Sequence, residues 1–175
     1  MKKLPYGISN YEELIEDGYY YVDKTMYIEK LENLAEKRIL FLRPRKFGKT
    51  LFTSTLENYY DIQKEEKFEK LYGETYIGKN PTKLKNSYHI LKFNFAEIDT
   101  TNEETTVKAF KKKTIASINL FVEKYKLDFY INQDDEAENI LDNLIKAFEI
   151  QRQNEKIYVI IDEYDHFANE LLGFN

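Results

Sequence analysis

Residues 38–51 read Arg38-Ile39-Leu40-Phe41-Leu42-Arg43-Pro44-Arg45-Lys46-Phe47-Gly48-Lys49-Thr50-Leu51, an apolar run, a basic loop and the opening of an amphipathic segment in immediate succession. The run 38–42 predicts a short buried strand. Behind the loop, Leu51, Phe52, Thr55, Leu56 and Tyr59 recur at helical spacing and predict a helix with one core-facing side. Strand, loop and helix in this order frame a phosphate-binding loop, GxxxxGK[ST]. In that loop backbone N–H groups wrap phosphate oxygens, the Lys reaches the terminal phosphates and the hydroxyl holds Mg²⁺. Every position matches except the first glycine, where Arg43 stands. A helix opening at Lys49 would also aim the positive end of its dipole at the anion. Taken alone, Gly-Lys-Thr is more often a helix-opening turn with exposed cations, so the reading needs a second motif.

That motif lies near the other end. Ile157-Tyr158-Val159-Ile160-Ile161 predicts an apolar strand that runs directly into Asp162 and Glu163. Carboxylates at the end of a core strand need partners or work, because an unpaired buried charge is costly. An Asp there can enter the shell of a Mg²⁺ ion, and a Glu beside it can orient or deprotonate an attacking water. The alternative is that the pair caps the next helix or solvates the strand end.

Between these motifs Tyr88–Phe95 predicts a further strand. Val107, Phe110, Thr114, Ile118, Phe121 and Tyr125 predict one helix, and Leu141, Leu144 and Phe148 a second. Nearer the start, Tyr19–Val22 can run extended into Asp23, which suits the N-cap of a helix carrying Tyr27, Ile28, Leu31 and Leu34. Pro5–Gly18 reads as turn-rich. Residues 61–87 read as a short helix and a surface connection anchored by Phe68, Leu71, Tyr72 and Ile77. Strands alternating with helices imply an α/β fold with a mostly parallel sheet, in one continuous domain.

Composition narrows the chemistry. The 175 residues carry 26 Lys and Arg against 31 Asp and Glu, a net charge of −5, so no global positive field holds a nucleic acid or an anionic membrane. Cysteine is absent, which excludes disulfides, thiol catalysis and Cys-ligated zinc, and two histidines, His89 and His166, are too few for a multi-histidine metal site. No apolar run approaches ~18 residues, so no membrane span is expected and cytoplasmic residence is the default.

The motifs Pro5-Tyr6-Gly7-Ile8, Tyr20–Thr25 (YYVDKT), Arg43–Leu51 (RPRKFGKTL), Phe68–Gly73 (FEKLYG) and Ile160–His166 (IIDEYDH) occur in this order across nearly the whole chain. Together they resemble the bacterial predicted AAA-ATPase-like family, P-loop proteins that often carry a PD-(D/E)XK nuclease-like domain at the C-terminus. Arg43 in place of the first glycine is usual in that family. The resemblance implies ATP and Mg²⁺ as ligands, with Arg45, Lys46, Phe47, Gly48, Lys49 and Thr50 forming the nucleotide-binding loop. Residue by residue, it implies Lys49 on the β/γ-phosphates, Gly48 for close backbone approach, Thr50 and Asp162 on the metal, and Glu163 as catalytic base. The reaction implied is hydrolysis of ATP by in-line attack of water on the γ-phosphate.

The fold so implied is a P-loop NTPase three-layer sandwich. A Glu directly after the strand-end Asp looks like the division of P-loop NTPases whose sheet gains a further central strand later in the chain. Residues 164–175 are too few for a helix and another strand. The expectation is therefore an incomplete sheet, with residues 1–175 as the N-terminal part of such a domain. Two alternatives follow: a nucleotide-binding fragment without turnover, and an inactive truncated remnant. Nucleic acid enters as a partner only through the family context, and no feature of the sequence selects an oligomeric state.

Other residues have quieter readings. Asp23, Lys24 and Thr25 read first as a helix start and second as a segment lying against the nucleotide. Tyr6, Tyr11 and Tyr19–Tyr21 read first as packing and second as a stacking face for adenine. Arg43, Arg45 and Lys46 either screen phosphate charge or remain solvated, and Lys111–Lys113 belong to the wet face of their helix.

Overall fold

Several helices in this chain begin where a short polar side chain takes up an orphaned backbone N–H. A computed structural model describes residues 2–34, 36–42, 47–96, 98 and 102–164, which fall into two compact units, Met1–Tyr88 and His89–Asn175. The first unit holds α1 (Tyr11–Glu16), α2 (Met26–Asn33), α3 (Lys49–Tyr60), a 3₁₀ segment (Ile62–Lys67), α4 (Phe68–Tyr72) and α5 (Tyr76–Lys79). Asn10 caps α1 by accepting from the N–H of Glu13.

The core of this unit is built largely from tyrosines. Tyr11 stacks on Tyr72 with ring centroids 5.1 Å apart, and Tyr59 meets the same ring edge-on at 5.6 Å. Burying a phenol is tolerable only if its hydroxyl finds an acceptor. Tyr11 donates to the carbonyl of Leu71 at 2.7 Å and Tyr72 to that of Thr55 at 2.6 Å. Burial pushes both phenols well above their ordinary range, which keeps them protonated donors.

Asp23 joins two helix starts. One carboxylate oxygen accepts from the N–H of Thr25 at 2.8 Å, and the other accepts from the N–H of Tyr76, the first residue of α5, at 2.7 Å. The N-cap of α2 is Thr25 rather than the expected Asp23, and its buried hydroxyl accepts from the N–H of Ile77 at 3.1 Å. The DKT segment is thus a clasp between α2 and α5. Asp23→Ala is expected to lower unfolding free energy by about 2 kcal/mol in urea titrations, with Asp23→Asn losing less because one acceptor oxygen remains.

A ladder of ion pairs ties α1 to the following turns: Glu12 to Lys64 and Lys67, each at 2.5 Å, and Glu16 to Lys70 at 2.8 Å. Partial burial works to raise the Glu12 carboxyl, but Lys64 and Lys67 outweigh it and leave it below its usual 4.5. The Lys70 ammonium lowers Glu16 in the same way. Carboxyls depressed in the folded state add stability that is present above about 4.5 and lost as pH falls through the folded values. Denaturation between pH 6 and 3 should therefore show an acid limb that flattens in Glu12→Gln/Glu16→Gln and in high salt.

The second unit starts with β1 (Tyr88–Asn94), whose first residue belongs to the first unit, and continues with α6 (Glu103–Tyr125), α7 (Ala137–Gln151) and β2 (Lys156–Asp162). β1 and β2 pair side by side in a two-stranded parallel sheet, a geometry that the intervening α6 and α7 make possible by returning the chain to the same end. Leu91, Phe93 and Phe95 pack against Ile118 and Phe121 of α6 and Leu144 and Phe148 of α7. Asn102 caps α6, with Glu103 and Glu104 in its first turn.

Several expectations change. The apolar run 38–42 is not a strand: Leu40 is 67% and Leu42 73% exposed, while Phe41 stacks on Phe52 at 5.2 Å. A strand needs a ladder neighbour, and among the described residues of the first unit the β pairing is a single bridge between Asp61 and Tyr88. Pro5–Gly18 contains the helix α1. Val107, expected on the core face of α6, is half exposed, and Thr106 is buried instead. The mixed α/β character is present with two strands in the sheet, and a three-layer sandwich is not formed by the described residues.

Candidate phosphate and metal site

Gly48 is the N-cap of α3 and has φ 75° and ψ 27°, a left-handed backbone that disfavours side chains. Space is not the constraint, since a Cβ built there meets no atom within 4 Å. The glycine lets the chain turn sharply so that Lys49 and Thr50 form the first turn, with the N–H of Phe52 closing back on the Gly48 carbonyl at 2.9 Å. Phe47 is exposed on the approach to the turn. Arg43, Arg45 and Lys46 lie outside the described residues.

The start of α3 differs from those of the other helices of eight or more residues. α2, α6 and α7 each carry at least one acid in the first turn and α6 an Asn cap as well, whereas α3 has neither a side-chain cap bond nor an acidic first-turn residue, and Lys49 adds a cation. Such a first turn brings no carboxylate of its own to the positive helix end. The side chain of Thr53 donates to the Thr50 carbonyl at 2.9 Å.

In the second unit β2 carries its buried alternation to Asp162, which is 1% exposed. Its carbonyl accepts from the N–H of Phe95 at 3.1 Å, extending the strand pairing, and its carboxylate accepts from the N–H of Glu163 at 3.0 Å. Glu163 itself has φ 55°. A non-glycine residue in the left-handed region costs about 1 kcal/mol or more, and such outliers cluster at working sites. The bend ends the strand and leaves Glu163 half-buried beside a buried carboxylate.

Hard oxygen donors, a hydroxyl and a carboxylate, suit Mg²⁺ better than a soft metal. Among the described residues no group of three or more His, Asp or Glu side chains converges to hold a metal alone.

A model of the family described as "Predicted AAA-ATPase" (AAA-ATPase_like) matches residues 5–175. The chain belongs to this family. The match covers every motif from Pro5 to the residues beyond Glu163, and the AAA-ATPase-like family implies a P-loop fold. The chain is also similar to a protein of Azotobacter chroococcum mcd 1 described as "Uncharacterized protein in vnfD 5'region", 46% identical over 61 residues. That stretch is 34% of this chain and 11% of the relative, so the chain spans only a small part of the relative's length. No solved structure matches.

Other residues weighed from sequence find structural employment. Tyr11 is fully buried among rings, which removes it as an adenine face, whereas Tyr6 and Tyr20 are exposed. His89 is buried, with Nε2 3.2 Å from Glu155 and its ring against Tyr125 and Phe148. Asp165 and His166 lie outside the described residues. No helix among the described residues is long and apolar enough to cross a membrane. Sequence reasoning missed the left-handed backbone at Glu163. No composition signal marks it, because Glu has no preference for that region.

Proposed function

We propose that this AAA-ATPase-like chain binds ATP with Mg²⁺ through the turn at Gly48-Lys49-Thr50 and contributes Asp162 and Glu163 to its hydrolysis in the cytoplasm. The observation that carries the reading is the start of α3: a left-handed glycine, no side-chain cap, no first-turn acid and a lysine, in a family whose description is that of an ATPase. Lys49 binds the β/γ-phosphates by charge-assisted hydrogen bonds, and the first-turn N–H groups take phosphate oxygens. Arg45, Lys46 and Phe47 complete the loop. Thr50 and Asp162 would hold Mg²⁺, which when bound supplies charge neutralisation at the terminal phosphates.

Glu163 acts as base. Its carboxylate takes a proton from a water whose oxygen attacks the γ-phosphorus, the bond to the β-phosphate oxygen breaks, and ADP and phosphate leave. The N–H of Glu163, bonded to Asp162, holds the backbone of the base against the metal-side carboxylate.

Phosphate release from ATP, followed with and without Mg²⁺ in the purified chain, tests the reading. Release that requires Mg²⁺ is the expected result. A chain that binds ATP and releases no phosphate keeps the binding half and removes the hydrolytic half, and a chain that does neither overturns both.

A further inference from the structure

The family motifs YYVDKT and FEKLYG take no part in the chemistry proposed above, yet both reach the same place on α3. Buried polar residues are unusual on a helix face, and α3 has three: Ser54, Thr55 and Asn58 are at most 5% exposed. Each has a bond. Ser54 accepts from the N–H of Tyr11 at 2.9 Å. Thr55 receives the Tyr72 hydroxyl on its carbonyl at 2.6 Å, and its side chain is hydrogen-bonded to Tyr21. Asn58 donates back to the Ser54 carbonyl at 2.9 Å.

From these anchors the bonds run toward the start of the helix. The Thr55 hydroxyl donates to the Leu51 carbonyl and the Thr53 hydroxyl to the Thr50 carbonyl, both at 2.9 Å. Side-chain bonds to the carbonyl one turn back set the local bend of a helix. The direction in which the first turn presents Lys49 and Thr50 is thereby linked to Thr55, and Thr55 is held from outside by Tyr72 and Tyr21.

We propose that Tyr72, assisted by Tyr21 and by the Tyr11–Ser54 bond, is a positioning residue for the phosphate-binding turn, acting through Thr55 to fix the rotation and bend of α3. The inference rests on the nucleotide reading for its consequence but not for its structural content. Tyr72 touches no substrate. Its ring belongs to the core with Tyr11, Tyr59 and Phe68, and its hydroxyl alone does the positioning.

Two readouts on Tyr72→Phe test this: hydrogen–deuterium exchange of amides 49–52 in the nucleotide-free chain, and the Kd for Mg²⁺–ATP measured well below the melting temperature. Tyr59→Phe is the control, since it removes a hydroxyl from the same ring cluster whose bonds run to Thr82 rather than to the α3 backbone. Tyr72→Phe is expected to speed exchange in the first turn and weaken ATP binding, each about fivefold, the loss typical of one hydrogen bond. Tyr59→Phe is expected to lower the melting temperature while leaving both readouts at parent values. Ser54→Ala, which leaves every ring in place, should move them in the direction of Tyr72→Phe and decides the matter if that variant does not fold. First-turn exchange unchanged in Tyr72→Phe and Ser54→Ala, or changed as much in Tyr59→Phe, would overturn the proposal. Should the parent bind no ATP while exchange still separates Tyr72→Phe from Tyr59→Phe, the nucleotide reading falls and the brace on α3 stands.

Discussion

Lys49→Ala is expected to abolish the rise in melting temperature that Mg²⁺ and ATP produce in the parent chain. A ligand at about 100 times its Kd stabilises the folded state by about 2.7 kcal/mol. For a chain of this size each kcal/mol moves the midpoint by about 2–4 °C, so the parent should melt about 5–10 °C higher with nucleotide. Lys49 stands in the first turn of α3, directly after the left-handed Gly48, and that turn carries no acid of its own. Removing its ammonium takes away charge-assisted bonds worth about 1.5–3 kcal/mol each, which lowers affinity by at least an order of magnitude. Without ligand the variant should melt close to the parent, because α3 is held by Ser54, Thr55 and the rings rather than by its first turn. A Lys49→Ala protein that shifts with ATP as the parent does would remove the phosphate site from this turn.

Glu163→Gln should reduce ATP turnover about 10²–10⁴-fold while leaving nucleotide binding within a few-fold of the parent. The amide keeps the shape and loses the base. Steady-state phosphate release together with a binding isotherm separates the two effects, and equal turnover in parent and variant would exclude Glu163 as the base. Glu163→Gly adds an independent check on the backbone. Since φ is 55° at this position, glycine relieves the left-handed strain and should stabilise the chain by about 1 kcal/mol while also losing turnover. Opposite changes in stability and activity at one residue are the signature of strain kept for function. A glycine variant that is less stable than the parent would mean that the Glu163 side chain serves packing.

Much of the candidate site was legible because its residues are contiguous. Gly48-Lys49-Thr50 and Asp162-Glu163 each announce themselves within a few positions, and the helix after the one and the strand before the other follow from local periodicity. The same holds for α6 and α7, where Ile118, Phe121, Leu144 and Phe148 fall on the buried side as their spacing requires. The left-handed backbone at Glu163 was not legible, since it depends on dihedral angles that residue type does not set.

Asp23, Tyr72 and the run 38–42 mark where local reading ends. Asp23 was expected to cap its own helix; its second oxygen instead serves the start of α5, 53 residues away. Tyr72 was expected only as a core anchor, and its hydroxyl engages the carbonyl of Thr55, 17 residues back. The apolar run 38–42 has strand composition and yet lies exposed, because composition supplies a propensity and a ladder supplies the strand. By itself the sequence determined the family, the Gly48-Lys49-Thr50 turn proposed to take phosphate and the acids at the end of β2, since those are patterns of neighbouring residues whose chemistry is intrinsic. Only the tertiary structure decided which polar side chains brace α3 and that the Asp23 carboxylate serves two helix starts. Hydrogen bonds between distant segments form only when folding brings donor and acceptor within about 3 Å.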